Sequence, residues 1–262
     1  MAKQECHVYH LGTVEYRRAW DLQVRLAGAV YAGERANALL LLEHPPVYSR
    51  GRLGRPEQIL LTTDELAQQG IQVIETDRGG QVTYHGPGQL VAYPVIDLRS
   101  WGGPLKYVRT LEQIIIKTLA DFGISAGTVE KMTGVWVGDA KIAAIGVKIS
   151  RGVAYHGFAI NVNTDLSYFD YIVPCGISDR PMTSLARVLG ETVNLEMVQY
   201  SLVYHFGQGM GFRMVEAEAA VETGAPAPLL SVAQLAKHIN TPILAFPLQG
   251  EGTSSLPLEG ES

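Results

Sequence analysis

The sequence predicts an α/β (α+β) domain, a mixed sheet flanked by helices, and three observations carry that prediction. Apolar patterns of period two and period 3.6 follow one another without regular βα alternation, which disfavours a doubly wound parallel sheet. Gly138-Asp139, set between two extended apolar runs, has the composition of a two-residue hairpin turn, so part of the sheet is antiparallel. With 262 residues, 47% of them hydrophobic, the chain suits one substantial core better than two small ones.

The elements follow in order. Residues 7–11 read as a short strand, and 14–32 as a helix with Tyr16, Trp20, Val24, Ala27 and Tyr31 at helical spacing. Residues 38–43 are an apolar strand stopped by His44-Pro45-Pro46, because proline has no N–H for the ladder. Residues 49–55 read as a basic loop carrying Arg50, Arg52 and Arg55, and 64–69 as a short helix closed by Gly70. Extended runs at 71–75, from Gly80 to Tyr84 and at 89–97 precede a second long helix over 105–122. That helix places Val108, Leu111, Ile114, Ile115, Leu119 and Phe122 on one face. The hairpin arms, 136–137 and 142–149, put Lys141 near the start of the returning strand. Residues 153–162 form another strand, 163–178 a loop, and Asn194 caps a helix burying Leu195, Val198 and Leu202. Residues 1–214 make the principal domain; 215–262, rich in Ala, Pro, Gly and Glu, read as a partly disordered C-terminal appendage.

A net charge of -5 gives no general attraction to nucleic acid or to an anionic membrane. No apolar run is long enough to span a bilayer, and the first residues lack a secretory h-region. Two cysteines, Cys6 and Cys175, make no disulfide framework, so a cytoplasmic, reducing setting with free thiols is expected. Metal-site spacings such as C-x-x-C and H-E-x-x-H do not occur, so neither metal nor cofactor is expected.

Two places concentrate chemistry. Arg78-Gly79-Gly80-Gln81-Val82-Thr83-Tyr84-His85-Gly86-Pro87-Gly88-Gln89 packs polar side chains among glycines that let a ligand approach the backbone. A tight strand connection is the plainer reading of that run, and no helix follows it as a phosphate loop would require. The other place is Lys141 with Cys175. Cys175 lies between Pro174 and Gly176, a setting suited to exposure, although most free cysteines are buried fillers. His44, His85 and His156 are candidate partners for the thiol, and the residues alone do not choose among them.

These segments resemble the lipoyl(octanoyl) transferase family. The likeness runs through the 78–89 stretch, Gly138-Asp139-Ala140-Lys141-Ile142-Ala143-Ala144-Ile145-Gly146, His156-Gly157-Phe158-Ala159-Ile160-Asn161, Pro174-Cys175-Gly176-Ile177 and Thr183-Ser184-Leu185. His44-Pro45-Pro46-Val47-Tyr48 joins it, and the whole spans residues 8–213 in order. The resemblance implies a fold shared with biotin and lipoate protein ligases. It implies an acyltransferase that moves an octanoyl group from octanoyl-acyl carrier protein to a cysteine. The group then passes to a lysine of lipoyl domains, those of 2-oxoacid dehydrogenases and of the glycine cleavage H protein. On this chain the nucleophile falls on Cys175 and its activating lysine on Lys141. The acyl-binding segments fall on Arg78, Gly79, Gly80, Gln81, Val82, Thr83, Tyr84 and His85, then Ala144, Ile145 and Gly146, and Gly157, Phe158 and Ala159. An ATP-dependent lipoate or biotin ligase on the same fold is the competing reading; it needs no nucleophilic cysteine.

The chemistry of the pair agrees with that implication. An ammonium ~4 Å from a thiolate at an effective dielectric of ~20 contributes about 4 kcal/mol before desolvation, enough to move a thiol toward ionisation at neutral pH. Docking of an acidic carrier on a net-negative enzyme needs local cations, for which Arg50, Arg52, Arg55, Arg78, Lys148 and Arg151 are candidates.

Overall fold

A strongly apolar segment, Asn37–Glu43, lies at the centre of the architecture, buried along almost its whole length because helices cover both of its faces. The computed structural model describes residues 3–173 and 180–217. All of them belong to the first of two units of the chain, residues 1–229; the second, 230–262, lies outside the described residues.

Eleven strands and five α-helices are described. They are β1 (Glu5–Thr13), α1 (Tyr16–Ala32), β2 (Asn37–Glu43), β3 (Val47–Arg50), α2 (Thr63–Gln68), β4 (Gln72–Glu75), β5 (Val82–His85) and β6 (Gln89–Asp97). After these come α3 (Pro104–Ala120), β7 (Gly127–Val129), β8 (Met132–Val137), β9 (Ala140–Ser150) and β10 (Val153–Asn161). The last three are α4 (Leu185–Leu189), α5 (Leu195–Met210) and β11 (Arg213–Glu216). Eight strands make a mixed sheet in the order β11-β1-β2-β6-β10-β9-β8-β7, and β4-β3-β5 make a small second sheet. β1 runs parallel to β11 and β2; the pairings from β2 to β7 are antiparallel. The predicted mixed sheet flanked by helices is the fold observed.

The main sheet has two unlike faces. One packs on α3 and α5 through Leu39, Leu41, Ala92, Ile115, Leu119, Phe158, Leu202 and Phe206. The other packs on α1 through Leu40, Leu42, Val91, Val95, Leu22 and Leu26. Local signals hold the elements in place. Asn194 caps α5 by accepting from the N–H groups of Glu196 and Met197, and Gly33 and Gly211 close α1 and α5 in left-handed conformation. Gly138, at φ 56°, makes the predicted two-residue turn between β8 and β9.

Several expectations need correction. The predicted loop 49–55 begins as strand: Ser49 and Arg50 pair with Thr83 and Val82 of β5. Residues 166–171 form 3-10 turns where a loop was expected. In α1 the buried stripe is Tyr16, Ala19, Leu22, Gln23, Leu26 and Val30, so Val24 and Tyr31 face outward, 50% and 42% exposed. Tyr31 is covered by the guanidinium groups of Arg99 and Arg151, a contact that favours an aromatic ring outside the core. Strand β11 carries the main sheet through Glu216, past the boundary placed at 214.

Candidate active site

Between the small sheet and the β9–β10 hairpin lies a cavity of about 460 Å³, within the size range of small-molecule sites. Its floor is made by residues with almost no side chain. Across the hairpin Ala144 faces Ala159 and Gly146 faces Gly157. A side chain at 157 would overlap the Ala92 carbonyl oxygen, and one at 146 would meet the Gly79 oxygen at 2.9 Å. Only glycine lets the strands and the segment above them approach this closely.

The roof is the strap from Arg78 to Thr83. Gly79 N–H donates to the Val147 carbonyl (3.0 Å), which fixes the strap to β9. The Arg78 guanidinium, nearly fully buried, donates to Ser49 Oγ (3.0 Å), the Ser49 carbonyl (2.6 Å), the Gln81 carbonyl (2.7 Å) and the Gly79 carbonyl (2.8 Å). A buried charge needs such a set of acceptors to stay charged. Arg78 is therefore part of the strap's frame and not one of the surface cations expected above; Arg50 is paired with Glu75.

The inner end of the cavity is polar and buried, formed by Tyr16, His85, Tyr93 and His156. His85 Nδ1–H donates to Gln89 Oε1 (2.7 Å), which leaves Nε2 to accept from Ser49 Oγ (3.1 Å). Burial first, and then the nearby His44 and Arg78, hold its pKa well below the usual histidine range. His44 donates from Nδ1 to the Val14 carbonyl (2.6 Å) and accepts from the Tyr93 hydroxyl (2.8 Å); burial brings its pKa down to about 4. His156 has a left-handed backbone, φ 55°, which turns its ring off the α3 side of the sheet toward Trp20 and Tyr93. There it donates to Asp77 (2.8 Å), whose other oxygen takes the Tyr155 hydroxyl (2.5 Å), and these bonds lower the Asp77 pKa to about 2. The residue before Arg78 is thus anchored to β10.

At the rim, Lys141 extends its side chain across Gly134, where an added Cβ would lie 2.5 Å from Lys141 Cε. Its Nζ sits 5.2 Å from the centre of the Trp136 ring, and the Arg180 guanidinium sits 5.4 Å from the same ring. The Gly134 N–H is held by the fully buried Glu112 carboxylate (3.2 Å), itself paired with Arg109 (2.6 Å). The Lys141 backbone is clipped on both sides: its N–H donates to the Pro181 carbonyl and its carbonyl accepts from Thr183 N–H, both at 2.9 Å.

Of the residues singled out in the sequence, Lys141, Arg78, Gly79, Gly80, Gln81, Val82, Thr83, His85, Ala144, Ile145, Gly146, Gly157, Phe158 and Ala159 all line this one cavity. Tyr84 does not. It is buried in the small sheet's own core, its ring stacked on Tyr168 at 4.7 Å. Cys175, in segment 174–179, lies outside the described residues. Sequence reasoning missed Tyr16, Tyr93, Trp136, Arg180 and Met182 as lining residues. Tyr16 and Trp136 were read as apolar parts of their elements, and nothing in the pattern marks a cavity wall; His156 was flagged as a possible thiol partner and as the start of the family-like run to Asn161, but not as a lining residue. Among the described residues no group of His, Cys, Asp and Glu could hold a metal ion.

Residues 15–207 match the family model of the lipoyl protein ligase A/B catalytic domain. The octanoyltransferase of Solibacter usitatus is 51% identical over 81% of this chain and 96% of its own length. That of Chloroflexus aggregans is 52% identical over 75% of this chain and 90% of its own. A solved lipoate-protein ligase A bound with ATP has the same fold, with a TM-score of 0.66 at 19% identity over 81% of this chain and 89% of that one. A bi-partite lipoate protein ligase from Thermoplasma acidophilum gives 0.65 at 20% identity, covering 83% and 88%. Fold and family model together define the class, a catalytic domain of the lipoyl protein ligase A/B type. Sharing about half its residues with these relatives over most of their length, the chain belongs to the octanoyltransferase family of acyltransferases.

Proposed function

We propose that this enzyme takes an octanoyl group from octanoyl-acyl carrier protein onto Cys175 as a thioester and passes it to a lysine of lipoyl domains. The domains of 2-oxoacid dehydrogenases and the glycine cleavage H protein are the acceptors, and the setting is the cytoplasm. The observation that carries this reading is Lys141, fixed at the rim of an acyl-sized cavity and clipped to the residues that follow the Cys175 segment. The named octanoyltransferase relatives supply the acyl group. Burying about seven carbons over Ala144, Gly146, Gly157 and Ala159 at ~0.8 kcal/mol each gives roughly 5 to 6 kcal/mol of gross binding energy.

In the first half-reaction the Cys175 thiolate attacks the thioester carbonyl, the carrier's C–S bond breaks, and protonated Lys141 gives its proton to the departing thiolate. In the second, neutral Lys141 takes a proton from the acceptor amine as the C–N bond forms and the Cys175 thiolate leaves. A thioester is already activated, so the reaction has no need of ATP. The test is an intact-mass measurement after incubation with octanoyl-carrier protein, without ATP. A gain of one octanoyl group, lost in Cys175→Ala and discharged by an added lipoyl domain, is the expected result. No adduct without ATP, with pyrophosphate released when ATP and free octanoate are supplied, would replace this reading with that of a ligase.

A further inference from the structure

A chain of buried hydrogen bonds runs from the strap to the rim of the cavity, and every donor in it points the same way. Arg78 donates to Ser49 Oγ (3.0 Å), and Ser49 Oγ–H donates to His85 Nε2 (3.1 Å). His85 Nδ1–H donates to Gln89 Oε1 (2.7 Å), and Gln89 Nε2–H to Asn161 Oδ1 (2.9 Å). Asn161 Nδ2–H then donates to the Thr183 carbonyl (3.0 Å), and Thr183 N–H to the Lys141 carbonyl (2.9 Å). Arg78 can only donate, so the polarity of each later group is set by the one before it. Asn161 and Gln89 are direct cross-strand partners on β10 and β6, and both are 2% exposed. No solvent competes for their amides, and an unmatched group there would carry its full desolvation cost.

Asn161 is where this chain leaves the sheet. Its amide reaches Thr183, four residues past segment 174–179, whose N–H donates to the Lys141 carbonyl next to the Lys141–Met182 bridge. We infer that Asn161 is a positioning residue for the acyl transfer: its amide sets segment 181–183 against Lys141 and thereby fixes the lysine's strand at the rim of the cavity. The inference rests on the Cys175–Lys141 reading and adds to it a residue that holds Lys141 in place. It makes the side chain at 161 matter for the rate of the chemical step and not for filling the cavity, because Asn161 does not line it.

The test uses the full chain with octanoyl-carrier protein, and reads single-turnover acylation of Cys175 by quenched intact mass. Asn161→Ala removes the donor and is expected to slow acylation by roughly 10- to 100-fold, the usual penalty for misplacing reacting groups by about 1 Å. Its KM for the carrier should change little, since the acyl cavity is intact. Asn161→Asp keeps the shape but places a carboxylate oxygen against the Thr183 carbonyl. Once protonated, that carboxyl regains an O–H donor. The Asp variant should therefore recover toward the parent rate as pH is lowered from 8 to 6, a trend that lost packing alone would not give. The titratable and charged groups around the chain are Arg78 on the strap, His85 at the end of β5, Glu43, which accepts from Gly88 N–H, and Lys141. All are present in the parent, so the variant-to-parent ratio cancels their titration. Should Asn161→Ala fail to fold, Asn161→Ser, too short to reach Thr183, carries the same expectation. Acylation at the parent rate in the Ala or Ser variant, or a pH-independent ratio for the Asp variant, overturns the inference. Absence of a Cys175 adduct in the parent itself would instead overturn the thioester reading, and this one with it.

Discussion

The α3–α5 face of the main sheet and the part of its opposite face that looks toward the small sheet, beyond the apolar packing on α1, are built on opposite principles. Against α3 and α5 the sheet presents Leu, Ile, Val and Phe, whose attraction is non-directional and tolerates exchange of one apolar shape for another. Toward the small sheet, the space beside β9 and β10 holds Arg78, His44, His85, His156, Ser49, Gln89 and Asn161, all buried. There each donor needs one particular acceptor at one particular place. The first face supplies stability; the second gives up some of the same opportunity to hold a cavity open and a lysine at its rim.

The sharpest way to separate the faces is at Lys141. Lys141→Ala should lower transfer by on the order of 10³-fold or more while leaving the melting temperature near that of the parent, measured by turnover assay and calorimetry. Lys141→Arg should restore much of the thiolate, read by alkylation of Cys175 against pH, without restoring turnover, because arginine cannot release a proton. Turnover at the parent rate in that variant would reduce Lys141 to a fixed charge. On the opposite face, Ile115→Ala, fully buried on α3, should cost about 2 to 5 kcal/mol by urea unfolding, yet keep its activity per folded molecule. If activity per folded molecule also collapsed, the faces would not be separable.

Acid should distinguish them next. His44, His85 and His156 have pKa values lowered by burial and stay neutral in the folded protein. Unfolding frees them to titrate near 6.5. Their depressed folded values mean that their contribution is fully present above pH 6.5 and is lost as pH falls toward about 4, the value for His44. The slope is roughly 1.4 kcal/mol per pH unit for each histidine that must charge on unfolding. Urea midpoints between pH 7 and 5 should show it, and His44→Gln should flatten it; an unchanged slope would remove His44 from the account. The smallest effect concerns the tail. We propose that the tail beyond β11 is largely dispensable for catalysis, and removal of residues 224–262 should leave kcat within about two-fold of the parent. A large loss would make the tail part of the site.

The sequence made the apolar face legible and half of the polar one. Leu111, Ile114, Ile115 and Leu119 recur at helical spacing, and that period sufficed to orient α3 correctly. In α1 the large residues Trp20, Val24 and Tyr31 suggested a stripe, but the phase follows Ala19, Leu22, Leu26 and Val30, with polar Gln23 among them. Gln23 is buried because its amide oxygen accepts the His156 N–H (2.8 Å), a partner 133 residues away that no local pattern announces. The strap and Lys141 could be found because glycines and a distinctive order of polar residues marked them. Tyr84 sits in the same run yet turns away from the cavity, since alternation along β5 sends neighbours to opposite sides. Trp136 and Tyr16 had only their apolar character to show.

The clip at Lys141 has a consequence for the order in which this molecule assembles. Its partners, Pro181 and Thr183, lie roughly forty residues further along the chain, beyond β10 and the turns at 166–171. Non-local contacts of this kind carry a loop-closure cost that local hairpins avoid, so the β9–β10 hairpin should form first and the clip after it. The amide protons of Lys141 and Thr183 would then exchange with solvent sooner than those of the central strands, each opening briefly dismantling the rim while the sheet stays folded.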